Sequence, residues 1–260
     1  MRELDVLRDA ISEALDGPLS PSDVRVKDTS VGTYDAVTDV DLRTERIVIE
    51  RIRREFPGDA IVSEESSPDA RPSGRAWAVD PIDGTVNLAR GIPVFGSQGV
   101  FMEDGVPRAS VVCLPSVREM YTATDDGAFL NGTPIRTADP RPLRECVLTT
   151  GDFSRRSEEY RLMQARLMSE CRGLVARFRM LGAACTDFAW LASGRTDIHV
   201  RFVNRIWDFL PGLYLAEMAG AVYDRDLMEE SGILILCSSN EVLDAALSEI
   251  LPRITSCSRR

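Results

Sequence analysis

Histidine is nearly missing from this chain: His199 is the only one in 260 residues. A lone imidazole excludes a His-rich metal site, and although one would suffice for a Ser-His-Asp triad, nothing around His199 reads as such. Cysteine is scattered, at positions 113, 146, 171, 185, 237 and 257, with no CxxC spacing. That argues against a zinc site or a disulfide framework and for reduced, buried thiols. Positive charge is short: 31 Lys and Arg face 41 Asp and Glu, for a formal net charge of −10 and a pI of about 4.8. Such a chain repels nucleic-acid backbones, so general nucleic-acid binding is excluded. A phosphorylated small molecule stays within reach if metal ions reverse the potential locally. No apolar run approaches the roughly 20 residues of a membrane span, so no membrane association is expected. The opening Met1-Arg2-Glu3-Leu4-Asp5 puts acids where a signal peptide needs an apolar stretch, and the expected location is the cytoplasm.

What is present is an ordinary globular composition, 44% hydrophobic, enough for one large domain or two modest ones. Leu4, Leu7, Ile11 and Leu15 recur at helical spacing and stop at Gly17-Pro18. A second helix is expected from about Leu42 to Phe56, with Leu42, Ile49, Ile52 and Phe56 on one face. Ala60 to Ser63 and Ala76 to Val79 read as short buried strands, ending at Glu64-Glu65 and at Asp80. From Val94 to Leu130 short β-rich runs alternate with turn signals at Asp104-Gly105, Asp126-Gly127 and Asn131-Gly132, the pattern of an antiparallel meander. Beyond Thr150 helices and strands alternate. Helices are expected at Tyr160–Cys171, Ala183–Ala192, Trp207–Ala219 and Glu241–Leu251, with strands at Leu174–Phe178, Ile198–Val200 and Ile233–Cys237. The class is therefore α+β followed by α/β. The division falls near Val147 to Gly151, giving parts 1–148 and 149–260, with no linker or repeat between them.

Four acidic features stand out: Asp35 to Asp41, Glu64-Glu65, Asp80 to Thr85, and Trp207-Asp208. Three place a carboxylate at an expected strand end or helix start, where side chains converge on a crevice. Oxygen ligands without His or Cys suit magnesium better than zinc. In Asp80-Pro81-Ile82-Asp83-Gly84-Thr85, a tight turn stiffened by Pro81 would face both carboxylates to one point, with the Ile82 carbonyl as a third ligand. Gly84 permits close backbone approach, and a helix opening at Thr85 would present free N–H groups to a phosphate. Plainer readings stand beside these: an Asp-Gly surface turn, a solvated helix start at Glu64-Glu65, and a core tryptophan followed by an N-cap aspartate at Trp207-Asp208.

Taken in order, these segments resemble the inositol monophosphatase family of lithium-sensitive, magnesium-dependent phosphatases. The resemblance rests on Trp77-Ala78-Val79-Asp80-Pro81-Ile82-Asp83-Gly84-Thr85 and Trp207-Asp208, supported by Glu64-Glu65, Val37-Thr38-Asp39-Val40-Asp41 and Gly127-Ala128-Phe129-Leu130-Asn131-Gly132. It implies a layered αβαβα sugar-phosphatase fold and a homodimer. It also implies Mg2+ held by Glu64, Asp80 and the Ile82 carbonyl, and a second ion held by Asp80, Asp83 and Asp208. A third, weaker magnesium would lean on Glu64. Catalytic roles fall to Asp41, Glu64 and Thr85, with Asp41 and Thr85 activating the attacking water. Substrate and phosphate contacts fall to Asp83, Gly84, Thr85, Ala184 and Asp208.

The sequence departs from the family at informative places. Arg201 stands seven residues before Asp208, where well-known members carry an acid that accepts hydrogen bonds from inositol hydroxyls. A guanidinium only donates and prefers phosphate or carboxylate, which points to a second anionic group on the substrate; a surface salt bridge is the plain alternative. Arg205 adds weakly to the same reading. Ser30 stands where the family carries a lysine, with Lys27 further back. Pro211 follows Asp208 closely and is expected in a first helical turn, where it removes no intrahelical bond. The segment from Tyr223 to Gly232 looks short. The expected activity is hydrolysis of a small phosphate monoester, the candidates being an inositol phosphate, histidinol phosphate, fructose 1,6-bisphosphate or a nucleotide 3′-phosphate. The competing class is a regulatory role binding RNA polymerase or another protein.

Overall fold

The computed structural model describes residues 1–27, 36–154, 157–202 and 205–256. The first part comprises α1 (Arg2–Leu15), β1 (Val24–Val26), β2 (Ala36–Thr38), α2 (Asp39–Glu55), β3 (Ala60–Ser63), β4 (Arg75–Asp83) and α3 (Thr85–Ala89), then β5 (Gly96–Glu103), β6 (Val106–Leu114), β7 (Glu119–Thr124), β8 (Gly127–Leu130) and β9 (Thr133–Pro134). The second comprises β10 (Val147–Thr150), α4 (Glu158–Glu170), β11 (Arg177–Met180), α5 (Ala184–Ala192), β12 (Ile198–Phe202) and α6 (Ile206–Met218), then α7 (Arg225–Ser231), β13 (Ile233–Cys237), α8 (Asn240–Glu249) and α9 (Leu251–Thr255).

Strands β3 to β9 form one sheet in sequence order, antiparallel except for the β3–β4 pair. Strands β10 to β13 form a second in the order β11-β10-β12-β13, with only β13 antiparallel to its neighbour. Side-chain alternation decides which layer each strand faces. Trp77 and Val79 of β4 point to α1 and α2, packing with Leu7, Ile11 and Ile52. Ala76 and Ala78 point the other way, to Trp207 of α6. Leu234 and Leu236 of β13 join α5 and α6 between the two sheets, whereas Ile233 and Ile235 face α4 and α8. The layers therefore run helices, sheet, helices, sheet, helices, which is the expected αβαβα order. The meander turns fall where expected, with Asp104 and Asn131 at φ of 50° and 49° and Gly105 and Gly132 at positive φ after them.

Several local expectations are corrected. Helix α2 begins at Asp39, because Thr38 and Asp41 form a capping box that fixes its start. Leu42 points to solvent at 43% exposed, and Val40, Val48, Ile49 and Ile52 form the buried face. Strand β11 lies three residues beyond its expected start. Strands β1, β2 and β10 are too short to show a period of their own. The Tyr223–Gly232 stretch holds α7, capped by the Asp224 carboxylate on the Leu227 N–H at 2.9 Å and ended by Gly232 in the left-handed region. Helix α6 starts one residue before Trp207, so Pro211 sits in its second turn and withholds the N–H the Trp207 carbonyl would accept.

Candidate active site

Strand β4 does not turn at Asp80. It stays extended through Asp83, with Asp80 opposite Gln98 and Asp83 opposite Gly96, so three steps on β4 match two on β5. This is a bulge, and Pro81, which has no N–H to donate, is tolerated within it because the bulge leaves its position without a ladder partner. The bulge replaces the expected tight turn as the device that aims the acids. At Gly84, with φ of 85°, an added Cβ would meet the Ala183 Cβ and the Val94 carbonyl, each at 3.0 Å. The segment after the strand is thus pressed against the start of α5, and α3 opens there.

Carboxylate oxygens of Glu64, Asp80 and Asp208 lie within 4.8 Å of one another. Asp80 is 1% exposed, and its Oδ1 is buried without a hydrogen-bond partner. Burial first, then Glu64, Asp83 and Asp208, drive its carboxyl well above the usual carboxylate range. A buried, unpaired carboxylate oxygen among like charges is costly unless a cation joins it. An all-oxygen donor set of this kind fits a hard divalent ion. Asp83 stands outside that trio; its Oδ2 accepts the Cys185 N–H at 2.5 Å. Burial raises its pKa too, against the Cys185 hydrogen bonds and Arg201. Trp207 is core and Asp208 is the third residue of α6, so Asp208 is not the helix cap; that position belongs to Arg205.

The Thr85 hydroxyl lies 2.8 Å from Asp41 Oδ1 and 2.9 Å from the Ile82 carbonyl. The other Asp41 oxygen accepts from the Thr38 backbone N–H at 2.9 Å and from the Thr38 hydroxyl. Asp41 is fully buried, and burial raises its pKa against those hydrogen bonds. Capping α2 and orienting Thr85 are thus one task for one carboxylate. Glu64-Glu65 forms a turn after β3 and starts no helix. Glu45 of α2 fixes it: its Oε1 accepts the Glu65 and Ser66 N–H groups, each at 3.1 Å, and the Ser63 hydroxyl.

With this geometry in place, comparison with known proteins is decisive. The profile of the inositol monophosphatase family matches residues 4–255. This chain belongs to that family. It is 32% identical over 192 residues to a fructose-1,6-bisphosphatase/inositol-1-monophosphatase of Thermotoga maritima, covering 74% of this chain and 72% of that protein. It is 33% identical over 234 residues to the Nus factor SuhB of Pasteurella multocida, covering 88% and 86%. The solved structure of a Thermotoga maritima IMPase superposes with a TM-score of 0.79 at 26% identity, covering 97% of each chain. The inositol monophosphatase fold and a magnesium-dependent phosphomonoester hydrolase follow.

Within this family frame the second half of the chain reaches the site through α5, β12 and α6. Ala184 opens α5, and the neighbouring Cys185 amide is the group that binds Asp83. Asn87 ties α3 to this segment through the Leu181 carbonyl at 2.9 Å. Arg201 lies beside Asp208, with a guanidinium nitrogen 3.6 Å from Oδ2 and 14% of the side chain exposed. The pair is a partly buried salt bridge, with the Asp208 side chain 26% exposed. Arg205 stacks over the Trp207 ring at 5.5 Å. His199 is buried against Thr149 at 2.8 Å, and burial lowers its pKa to about 3, which makes it a neutral core residue as expected. Ser30, Asp35 and Cys257 lie outside the described residues.

Three groups were not assigned from sequence. Glu45 shares a helix face with the buried Val48 and Ile52, and an acid on such a face is the available signal. Asp187 sits fully buried within the apolar run of α5, where burial holds its carboxyl well above the usual range against Arg201. Lys27, further back than the family's lysine position, bonds Glu64 Oε1 at 2.8 Å and Glu65 Oε1 at 2.6 Å.

Proposed function

We propose that this phosphatase acts on a small phosphorylated metabolite with a second anionic group, such as a sugar bisphosphate. The reaction is carried by one observation, the convergence of Glu64, Asp80 and Asp208 around an unpaired buried Asp80 oxygen. Glu64, Asp80 and the Ile82 carbonyl would hold one Mg2+, and Asp80, Asp83 and Asp208 a second. Bound there, magnesium supplies Lewis acidity to the phosphoryl oxygens and acidifies the attacking water.

The chain's own groups divide the rest. Asp41 accepts the hydrogen bond of the Thr85 hydroxyl, leaving the Thr85 oxygen free to accept a hydrogen bond from water. The proton released on attack passes along that pair to Asp41, whose raised pKa makes it a better acceptor. The Gly84 and Thr85 amides, at the start of α3, hold the phosphate, and Ala184 borders it. Arg201 donates to the second anionic group, where an acid would repel it. A cytoplasmic homodimer, and parts bounded at residues 148 and 149, belong to the same reading.

The relatives named Nus factor SuhB favour a second, regulatory role in contact with a protein partner. It sits beside catalysis, which the convergence of Glu64, Asp80 and Asp208 supports. Phosphate release from a panel of mono- and bisphosphates with magnesium tests the substrate. Preference for bisphosphates, lost in Arg201→Ala, is expected; an unchanged preference in that variant would remove Arg201 from specificity.

A further inference from the structure

We infer that Lys27 is the built-in cation of the outer acidic pair Glu64–Glu65, closing that position to a third divalent ion while leaving the inner site open. The inference rests on the metal-site reading above and concerns what this chain adds to it.

Lys27 follows β1, whose Val26 pairs with Ala36 of β2, and β2 ends at Thr38, the cap of α2. The ribbon that orients Asp41 therefore also delivers the lysine. Its Nζ stands 2.8 Å from Glu64 Oε1 and 2.6 Å from Glu65 Oε1, the range of charge-assisted hydrogen bonds. All three side chains are largely shielded, with 24%, 25% and 10% exposed for Lys27, Glu64 and Glu65. Glu45 anchors the Glu65 and Ser66 amides of the same turn, fixing the backbone from which the two carboxylates project.

A carboxylate has two oxygens, so Glu64 can serve two cations. A Glu64 carboxylate oxygen belongs to the inner trio with Asp80 and Asp208, and Oε1 is engaged by Lys27. A magnesium ion in the outer position would need oxygens at about 2.0–2.1 Å. It would take the lone pairs the ammonium already uses and would lie against a positive charge. Unlike an ion, Lys27 is tethered and does not dilute away. Family resemblance alone implies a third, weaker magnesium on Glu64; in this chain the lysine fills that role.

The test counts bound Mn2+ per chain by the EPR signal of the free ion during titration, for the wild type, Lys27→Met, Lys27→Arg and Asp80→Asn. Lys27→Met keeps much of the aliphatic stem and loses the charge, and is expected to bind one additional, weak Mn2+. Lys27→Arg keeps the charge and is expected to match the wild type. Equal counts and affinities in wild type and Lys27→Met, with binding lost in Asp80→Asn, would overturn the role of Lys27 and leave the inner site standing. Unchanged binding in Asp80→Asn would overturn the metal-site reading and this inference with it. Should Lys27→Met not fold, Lys27→Gln carries the same expectation.

Discussion

The two sides of the cleft solve opposite electrostatic problems. The β3–β4 side gathers carboxylates and pushes the Asp80, Asp83 and Glu65 pKa values upward, Glu65 to about 7. The β12–α6 side sets Arg201 beside Asp208, with a neutral His199 behind it. One side is built to attract cations, and the other carries a fixed cation of its own. The difference separates reaction from preference. On the proposed function, the clustered acids define the chemistry, and the Arg201 charge beside Asp208 selects which phosphate ester is welcome.

Replacing Thr85 breaks the comparison most severely. Thr85→Ala removes the hydroxyl between Asp41 and the water while leaving both sides' charges intact. A loss in kcat of about 10²–10⁴-fold, the usual worth of positioned acid–base catalysis, is expected in steady-state phosphate release, with the bisphosphate preference retained. A loss confined to KM would place Thr85 in binding alone.

A smaller effect sharpens the acidic side. Asp80, Asp83 and Glu65 have folded-state pKa values above those of the unfolded chain, so the folded protein holds more protons. Stability from these groups therefore falls as pH rises through that window, which for Glu65 runs from 4.5 to about 7. In metal-free buffer the thermal midpoint of the wild type relative to Glu65→Gln should drop across that window, a comparison in which the buried neutral His199, which favours the fold as pH rises to 6.5, cancels; magnesium should restore more at the upper end. A difference that rises with pH in metal-free buffer would contradict this balance.

How much could be read in advance follows from the range of each interaction. Asp80, Asp83 and Thr85 are close in sequence, so their meeting is a local matter. The bulge that aims them was not legible, because it depends on the register between β4 and β5. Lys27 and Glu64 are 37 residues apart, and Glu45 acts across a helix-to-strand contact. No periodicity announces such pairs. Asp187 was hidden differently, since an acid inside an apolar helical run gives no sign of what it faces.

The central claim is that Glu64, Asp80 and Asp208 form the divalent-ion site that phosphate hydrolysis requires. Its most direct test is paired measurement of Mn2+ binding and magnesium-dependent phosphate release in the wild type and Asp80→Asn. Binding and turnover lost together, in a variant that still folds, are predicted. Wild-type Mn2+ affinity in Asp80→Asn would contradict the account.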